Sequence, residues 1–219
     1  MSRAAGSASP RARRTTAAPT STAPVVREMR ARGRDTMSRL LDAGAEVFAA
    51  RGYHATRVDD IVKLAHTSHG TFYLYFANKD ELFRALAGEV AGEMAALADR
   101  LGPLQPTDEG RAELRAWIEQ FVDLYERHGP VIRAWTEAEI GGSEFGRLGT
   151  DVLTLFTRGL YRRVAQAAPP GLDPEIASLA LVAMFERLNY YAVTRQARVE
   201  RTAMIDTLTR VTHASLFGS

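Results

Sequence analysis

The residues best suited to chemistry in this 219-residue chain lie close together, in the run HTSHGTFYLYF from His66 to Phe76. Wound as a helix at ~100° per residue, Gly70 to Phe76 gathers Phe72, Tyr75 and Phe76 on one side. His69, Gly70, Thr71, Tyr73 and Leu74 then face solvent. An exposed Leu and a Gly do little for the stability of so short a helix, but they suit a surface that must approach another molecule closely. Leu74 would touch a thymine methyl, and Thr71 or His69 would hydrogen-bond a base edge. Tyr73 and the N-terminal end of the helix would hold phosphates. Arg57 and Lys79 sit at two helix starts flanking this run, where a cation also suits a phosphate.

Other chemistries fit less well. His66 and His69 are three apart, but no third ligand lies nearby and the chain has no cysteine. They read as turn and surface residues, so no metal site and no cofactor are expected. Without cysteine, disulfides, thiolate zinc sites, iron–sulfur clusters and cysteine nucleophiles are excluded. Gly-rich phosphate loops, HExxH and GxSxG are absent, so no catalytic residue is assigned and the chain does not read as an enzyme.

The elements that must position these residues are helical throughout, with no strand-like alternation of useful length. A first helix runs from Asp35 to Arg51 with Met37, Leu40, Leu41 and Phe48 on one stripe. Gly52 closes it as a left-handed cap, with Tyr53 folding back onto Phe48. A second opens at Thr56, and Asp59 three residues on suggests a capping box. The short reading helix follows, and Asn78 then caps a long helix with the apolar series Leu82, Leu86, Val90, Met94, Leu97 and Leu101. Five more helices are expected beyond residue 106. The first is stopped by Gly129-Pro130, the second, Val131 to Ile140, by Gly141-Gly142, and the third carries Phe145, Leu148, Val152, Leu155, Phe156 and Leu160. Asp173-Pro174 starts a fourth, apolar nearly all round from Ile176 to Leu188, which points to burial against a second subunit. The last spans about Arg201 to Leu216.

The net charge is +2, from 28 Lys and Arg against 26 Asp and Glu. Residues 1–34 alone carry eight Arg and one acid, a charge of +7, which leaves −5 for the remainder. This Arg/Ala/Ser/Pro-rich tail reads as disordered, either an arm adding phosphate contacts or a solubilising leader. Its composition also superficially fits an organellar transit peptide. Residues 35–81 are net −2, five cations against seven acids, so DNA contact must rest on placed residues and not on bulk charge. The longest apolar run, Ala177 to Phe185, is too short to span a membrane.

The stretch LLDAGAEVFAARGYHATRVDDIVKLAHTSHGTFYLYFANKDELF, within Thr36 to about Leu86, resembles the TetR family of bacterial transcriptional regulators. The resemblance is carried by Phe48, Gly52-Tyr53, Thr56, Val58, Ile61, Ala65, Ser68, Gly70-Thr71, Tyr73, Tyr75-Phe76 and Lys79. It implies that Thr56 and Arg57 touch the DNA backbone, that His69, Thr71 and Tyr73 lie in the groove, and that Lys79 holds a phosphate. The family's turn reads Ala-Gly-Val where this chain has Ala65-His66-Thr67. His66 is therefore expected to be left-handed, or the turn to be a variant.

The resemblance further implies an all-α chain: a tail over 1–34, a DNA-binding domain over 35–80, and a helical effector-binding and dimerising domain over 81–219. The expected function is a homodimeric repressor, dimerised through the last two long helices and released from a palindromic double-stranded DNA operator by a small-molecule effector. It would be cytoplasmic and bacterial, without a membrane partner. Candidate effector-lining residues are Trp117, Phe121, Tyr125, Trp135, Glu139, Phe156, Phe185 and Asn189, with Glu186 as a further polar group. Each has an alternative reading as core or surface. A helical enzyme or carrier retaining a vestigial helix-turn-helix is the alternative function.

Overall fold

The computed structural model describes residues 23–139 and 143–218, and among these every element is a helix. In order they are α1 (Ala23–Ala55), α2 (Val58–Leu64), α3 (His69–Tyr75), α4 (Lys79–Arg100), α5 (Asp108–Glu139), α6 (Ser143–Ala167), α7 (Pro174–Val193) and α8 (Arg201–Phe217). The chain divides into two compact units, residues 1–36 and 37–219, and the larger one holds all of α2 to α8. The expected tail overlaps α1, which begins at Ala23 and not at 35, so residues 23–34 are helical. The rest of the tail, 1–22, lies outside the described residues, as do Ile140 and the expected stop at Gly141-Gly142.

Gly52 interrupts α1 at φ 76°, ψ 171°, a conformation reserved for residues without a Cβ. The break turns Tyr53 back, and its ring stacks on Phe48 with centroids 5.9 Å apart. The capping box at α2 does not form. Arg57 is the capping residue and makes no side-chain cap. Thr56 is 2% exposed, and its hydroxyl donates to the Gly52 carbonyl at 2.7 Å. The break at Gly52 leaves that carbonyl unpaired within the helix, and it takes the hydroxyl that would have capped α2.

The turn after α2 is left-handed at His66, φ 50°. His66 N–H donates to Lys63 O at 3.3 Å and Thr67 N–H to Val62 O at 3.0 Å, the paired bonds of a Schellman motif. A non-glycine residue carries a steric penalty there. His66→Gly is therefore expected to stabilise the fold by about 1 kcal/mol, raising Tm by roughly 2–4 °C. The denaturant midpoint checks this, and its slope should not change.

Ser68 caps α3 by accepting from Thr71 N–H at 3.0 Å. Asn78 caps α4 by accepting from Glu81 N–H at 2.9 Å, and Glu81 reaches back to accept from Ala77 N–H at 2.6 Å. The whole α4 series from Leu82 to Leu101 is buried. Gly129-Pro130 does not stop a helix. Instead α5 runs through Pro130, so among the described residues four helices follow α4 where five were expected. Val122 and Tyr125 before the proline, and Val131, Ala134 and Trp135 after it, are all buried, and this continuous face outweighs the lost backbone bond. Asp173 caps α7 by accepting from Glu175 and Ile176 N–H. Glu200 caps α8 through Thr202 and Ala203 N–H, which hold its carboxyl below the usual range.

One buried cluster runs from Leu40 to Leu216, with no break at residues 80–81. Met204, Ile205, Leu208 and Leu216 of α8 are buried, Phe217 is half-buried and Val211 exposed, whereas α7 exposes Ile176, Leu179 and Tyr191. On α6, Leu155 is exposed despite its place in the expected stripe, while Phe156 and Leu160 are buried. The side chains of Phe145, Leu148 and Val152 lie outside the described residues.

Candidate nucleic-acid interface

Helix α3 is a short rod fixed at both ends. Phe72 is fully buried and Phe76 is 3% exposed, with ring centroids 5.8 Å apart, and Ile61 of α2 is fully buried in the same core. The outward residues match the wheel derived from sequence: Tyr73 is 57% exposed and Leu74 81%. His69 and Gly70 are exposed as well, and Thr71 is half-buried. A Cβ on Gly70 would meet nothing closer than Ser68 Oγ at 3.7 Å, so this position is open to an approaching surface. Thr71 Oγ1 lies 2.9 Å from Ser68 Oγ, which leaves its hydroxyl with spare bonding capacity for an outside group.

The flanking residues divide. Arg57 is exposed at the start of α2 and makes no ion pair among the described residues, as a phosphate contact requires. Thr56 is buried and its hydroxyl donor is used internally, so its side chain is not at this surface. Lys79 is also turned inward. Its ammonium donates to three carbonyls, Tyr53 O at 2.8 Å, Thr56 O at 3.1 Å and His54 O at 3.2 Å, and lies 4.8 Å from the Tyr53 ring centroid. All three ammonium hydrogens are taken, so Lys79 has a structural role in this structure, and the expected phosphate contact would need one of them released. Tyr53 O–H completes the clamp by donating to Asp80 Oδ1 at 2.8 Å, which ties the end of α1 to the start of α4. The carbonyls left open by the Gly52 break draw the lysine in, and residue spacing alone does not reveal such a partner.

Two further side chains have roles that spacing also misses. Asp59 of α2 lies with Oδ1 2.6 Å from His69 Nε2, a pair ten residues apart that joins two consecutive helices. Arg133 of α5 donates to the Ala49 carbonyl of α1, linking the bundle to the helix that braces α2 and α3.

The expected effector-lining set forms a packed aromatic core. Trp117, Phe121, Phe156 and Phe185 have neighbouring ring centroids 5.2–6.1 Å apart, and Tyr125 lies 4.9 Å from Phe121. Trp117 Nε1–H donates to Leu97 O at 2.8 Å. Trp135 is buried at 8% exposure. Asn189 is buried and its Nδ2 donates to Phe185 O of its own helix at 2.8 Å, so it bonds within α7. Glu139 closes α5, and its side chain lies outside the described residues. Glu186 is half-buried, and burial raises its carboxyl while Arg187 lowers it. Burial, with Glu186 adding to it, pushes the Tyr125 hydroxyl far above the usual phenol range. Clefts lined by described residues lie elsewhere, one of about 540 Å³ between α5 and α8 and one of about 440 Å³ between α6 and α7. No helix among the described residues is long and apolar enough to cross a membrane.

Residues 40–86, spanning α1 to α4, match the family model described as bacterial regulatory proteins, tetR family. Over 214 residues the chain is 28% identical to the HTH-type transcriptional regulator EthR of Mycolicibacterium smegmatis, covering 94% of this chain and 97% of that protein. Among solved structures, a transcriptional regulator from Aquifex aeolicus superposes with a TM-score of 0.66 at 20% identity, over 80% of this chain and 96% of its own. The transcriptional regulator FadR of Bacillus subtilis, in complex with stearoyl-CoA, gives 0.63 at 20% identity over 81% and 98%.

Proposed function

We propose that this chain, which belongs to the TetR family of bacterial regulatory proteins, is a homodimeric repressor that reads a palindromic operator with α3 and leaves it when a small effector binds. The observation that carries this is Leu74. A leucine 81% exposed on a helix capped by Ser68 and anchored by Phe72 has no packing role, and it suits a methyl-bearing base edge. Tyr73 and Arg57 flank it as phosphate contacts. With two copies related by a two-fold axis, the recognition helices would sit about 34 Å apart and read two half-sites.

The exposed apolar residues of α7 supply the face for a second copy. Met204, Ile205, Leu208 and Leu216 of α8 are buried, while Val211 is exposed and Phe217 half-buried, so α7 supplies the larger part of that face. Effector binding would act through α4 and α5. Helix α4 carries the Lys79 clamp at one end and the Trp117 bond at the other, and Arg133 connects α5 to α1. An effector shifts the equilibrium only by its preference for the arrangement that does not fit DNA. The structural neighbour that holds stearoyl-CoA supports a small-molecule effector.

The test is Leu74→Ala. Stability should stay within about 0.5 kcal/mol of the parent, while operator affinity falls roughly fivefold, with the loss concentrated at one thymine per half-site. Fluorescence anisotropy on operator duplexes with that thymine changed to uracil reads this directly. An unchanged affinity would remove Leu74 from the interface.

A further inference from the structure

We propose that Asp59 sets the hydrogen-bonding character of His69 and thereby one base preference of the recognition helix. The inference rests on α3 reading base edges. His69 is the first residue of α3, exposed, and lies four residues before Tyr73 on the same outward side. Its Nε2 is 2.6 Å from Asp59 Oδ1. A carboxylate only accepts, so Nε2 carries its hydrogen and donates to Asp59. In the neutral ring the other nitrogen, Nδ1, then has a lone pair and no hydrogen. It is an acceptor, and it is the nitrogen left for an outside partner.

The two neighbouring acids of α2 have separate partners. Asp60 pairs back onto Arg51 of α1 at 3.3 Å, while Asp59 points to α3. Both members of the Asp59–His69 pair are largely exposed, with side-chain exposures of 74% and 54%, so in free protein the pair is a weak one. A duplex closing over α3 removes water and strengthens it, at the moment when the tautomer matters.

In the major groove, the exocyclic amines of adenine and cytosine are donors, whereas guanine N7 and O6 and thymine O4 are acceptors. An Nδ1 acceptor therefore favours adenine or cytosine at the base it meets and rejects guanine or thymine. Asp59 is a positioning residue: it touches no base, yet it decides which bases His69 accepts. Asparagine in its place can donate as well as accept, and so releases the ring to either tautomer.

The experiment uses the full chain and operator duplexes selected by it, each half-site position replaced in turn by every base, with affinity read by anisotropy at about pH 8, where free imidazole is uncharged. The parent should show one position per half-site preferring adenine or cytosine by roughly tenfold. His69→Ala should erase that preference alone. Asp59→Asn should reduce it to about threefold or less, and Asp59→Glu should retain most of it. Preferences at all other positions, unchanged in each variant, show that the fold and the docking are intact. The same tenfold preference in Asp59→Asn would overturn the inference while leaving DNA reading in place. Failure of the parent to select any operator would remove the functional reading and this inference together.

Discussion

Lys79→Ala should lower stability by about 2–3 kcal/mol, because it leaves the Tyr53, His54 and Thr56 carbonyls without their ammonium donor. In a chain of this size that corresponds to a fall in Tm of roughly 5–10 °C. The end of α1, the link from α1 into α2 and the start of α4 meet at this one nitrogen, and the cation over the Tyr53 ring adds to the loss. Operator affinity should fall as well, through a loosened α2–α3 unit and not through a lost phosphate contact. Lys79→Arg separates the two causes. It keeps the charge, but a planar fork cannot place its hydrogens on three carbonyls converging on a single point. A phosphate contact would tolerate arginine with Tm unchanged. The clamp requires that arginine lose most of the stability that alanine loses, with the salt dependence of DNA binding close to that of the parent.

Trp117→Ala is expected to have the larger effect, about 3–5 kcal/mol. The indole is 4% exposed, lies between Phe121, Phe156 and Phe185, and holds the Leu97 carbonyl in the last turn of α4. Removing it opens a cavity in the centre of the bundle and leaves a buried carbonyl unpaired. Trp117→Phe keeps most of the ring volume and should cost nearer 1–2 kcal/mol, mainly the lost bond. Urea unfolding of both variants checks the order. A cost below about 1 kcal/mol for Trp117→Ala would mean that the aromatic set lines a space and does not fill one.

Much of this fold is legible in single residues. Asn78 and Asp173 each mark a helix start because one residue type satisfies a local backbone need there, whereas Gly52, read as a cap, is a break inside α1, which runs on to Ala55. The outward face of α3 follows from its period, and His66 takes the left-handed conformation, one of the two outcomes that its departure from the glycine pattern left open. Sequence reading misses groups whose partners are distant in the chain. Thr56 faces inward because the break at Gly52 exposes a carbonyl to it. Lys79 finds carbonyls more than twenty residues back, and Asp59 meets His69 across the α2–α3 turn. Pro130 signals a stop locally and is overruled by a packing face that continues on both sides of it. The aromatic residues stand out as a group in the sequence, but residue type does not distinguish a filled core from a lined cavity.

Helix α3 is proposed to read DNA sequence as one of a symmetric pair. Selection of duplexes from a random pool by the full chain, at physiological salt and with sequencing of the bound fraction, tests it most directly. A single inverted repeat whose half-sites lie about one helical turn apart, ~34 Å, should be enriched, with Leu74→Ala blunting one thymine in each half. A bound fraction indistinguishable in sequence from the starting pool would contradict it.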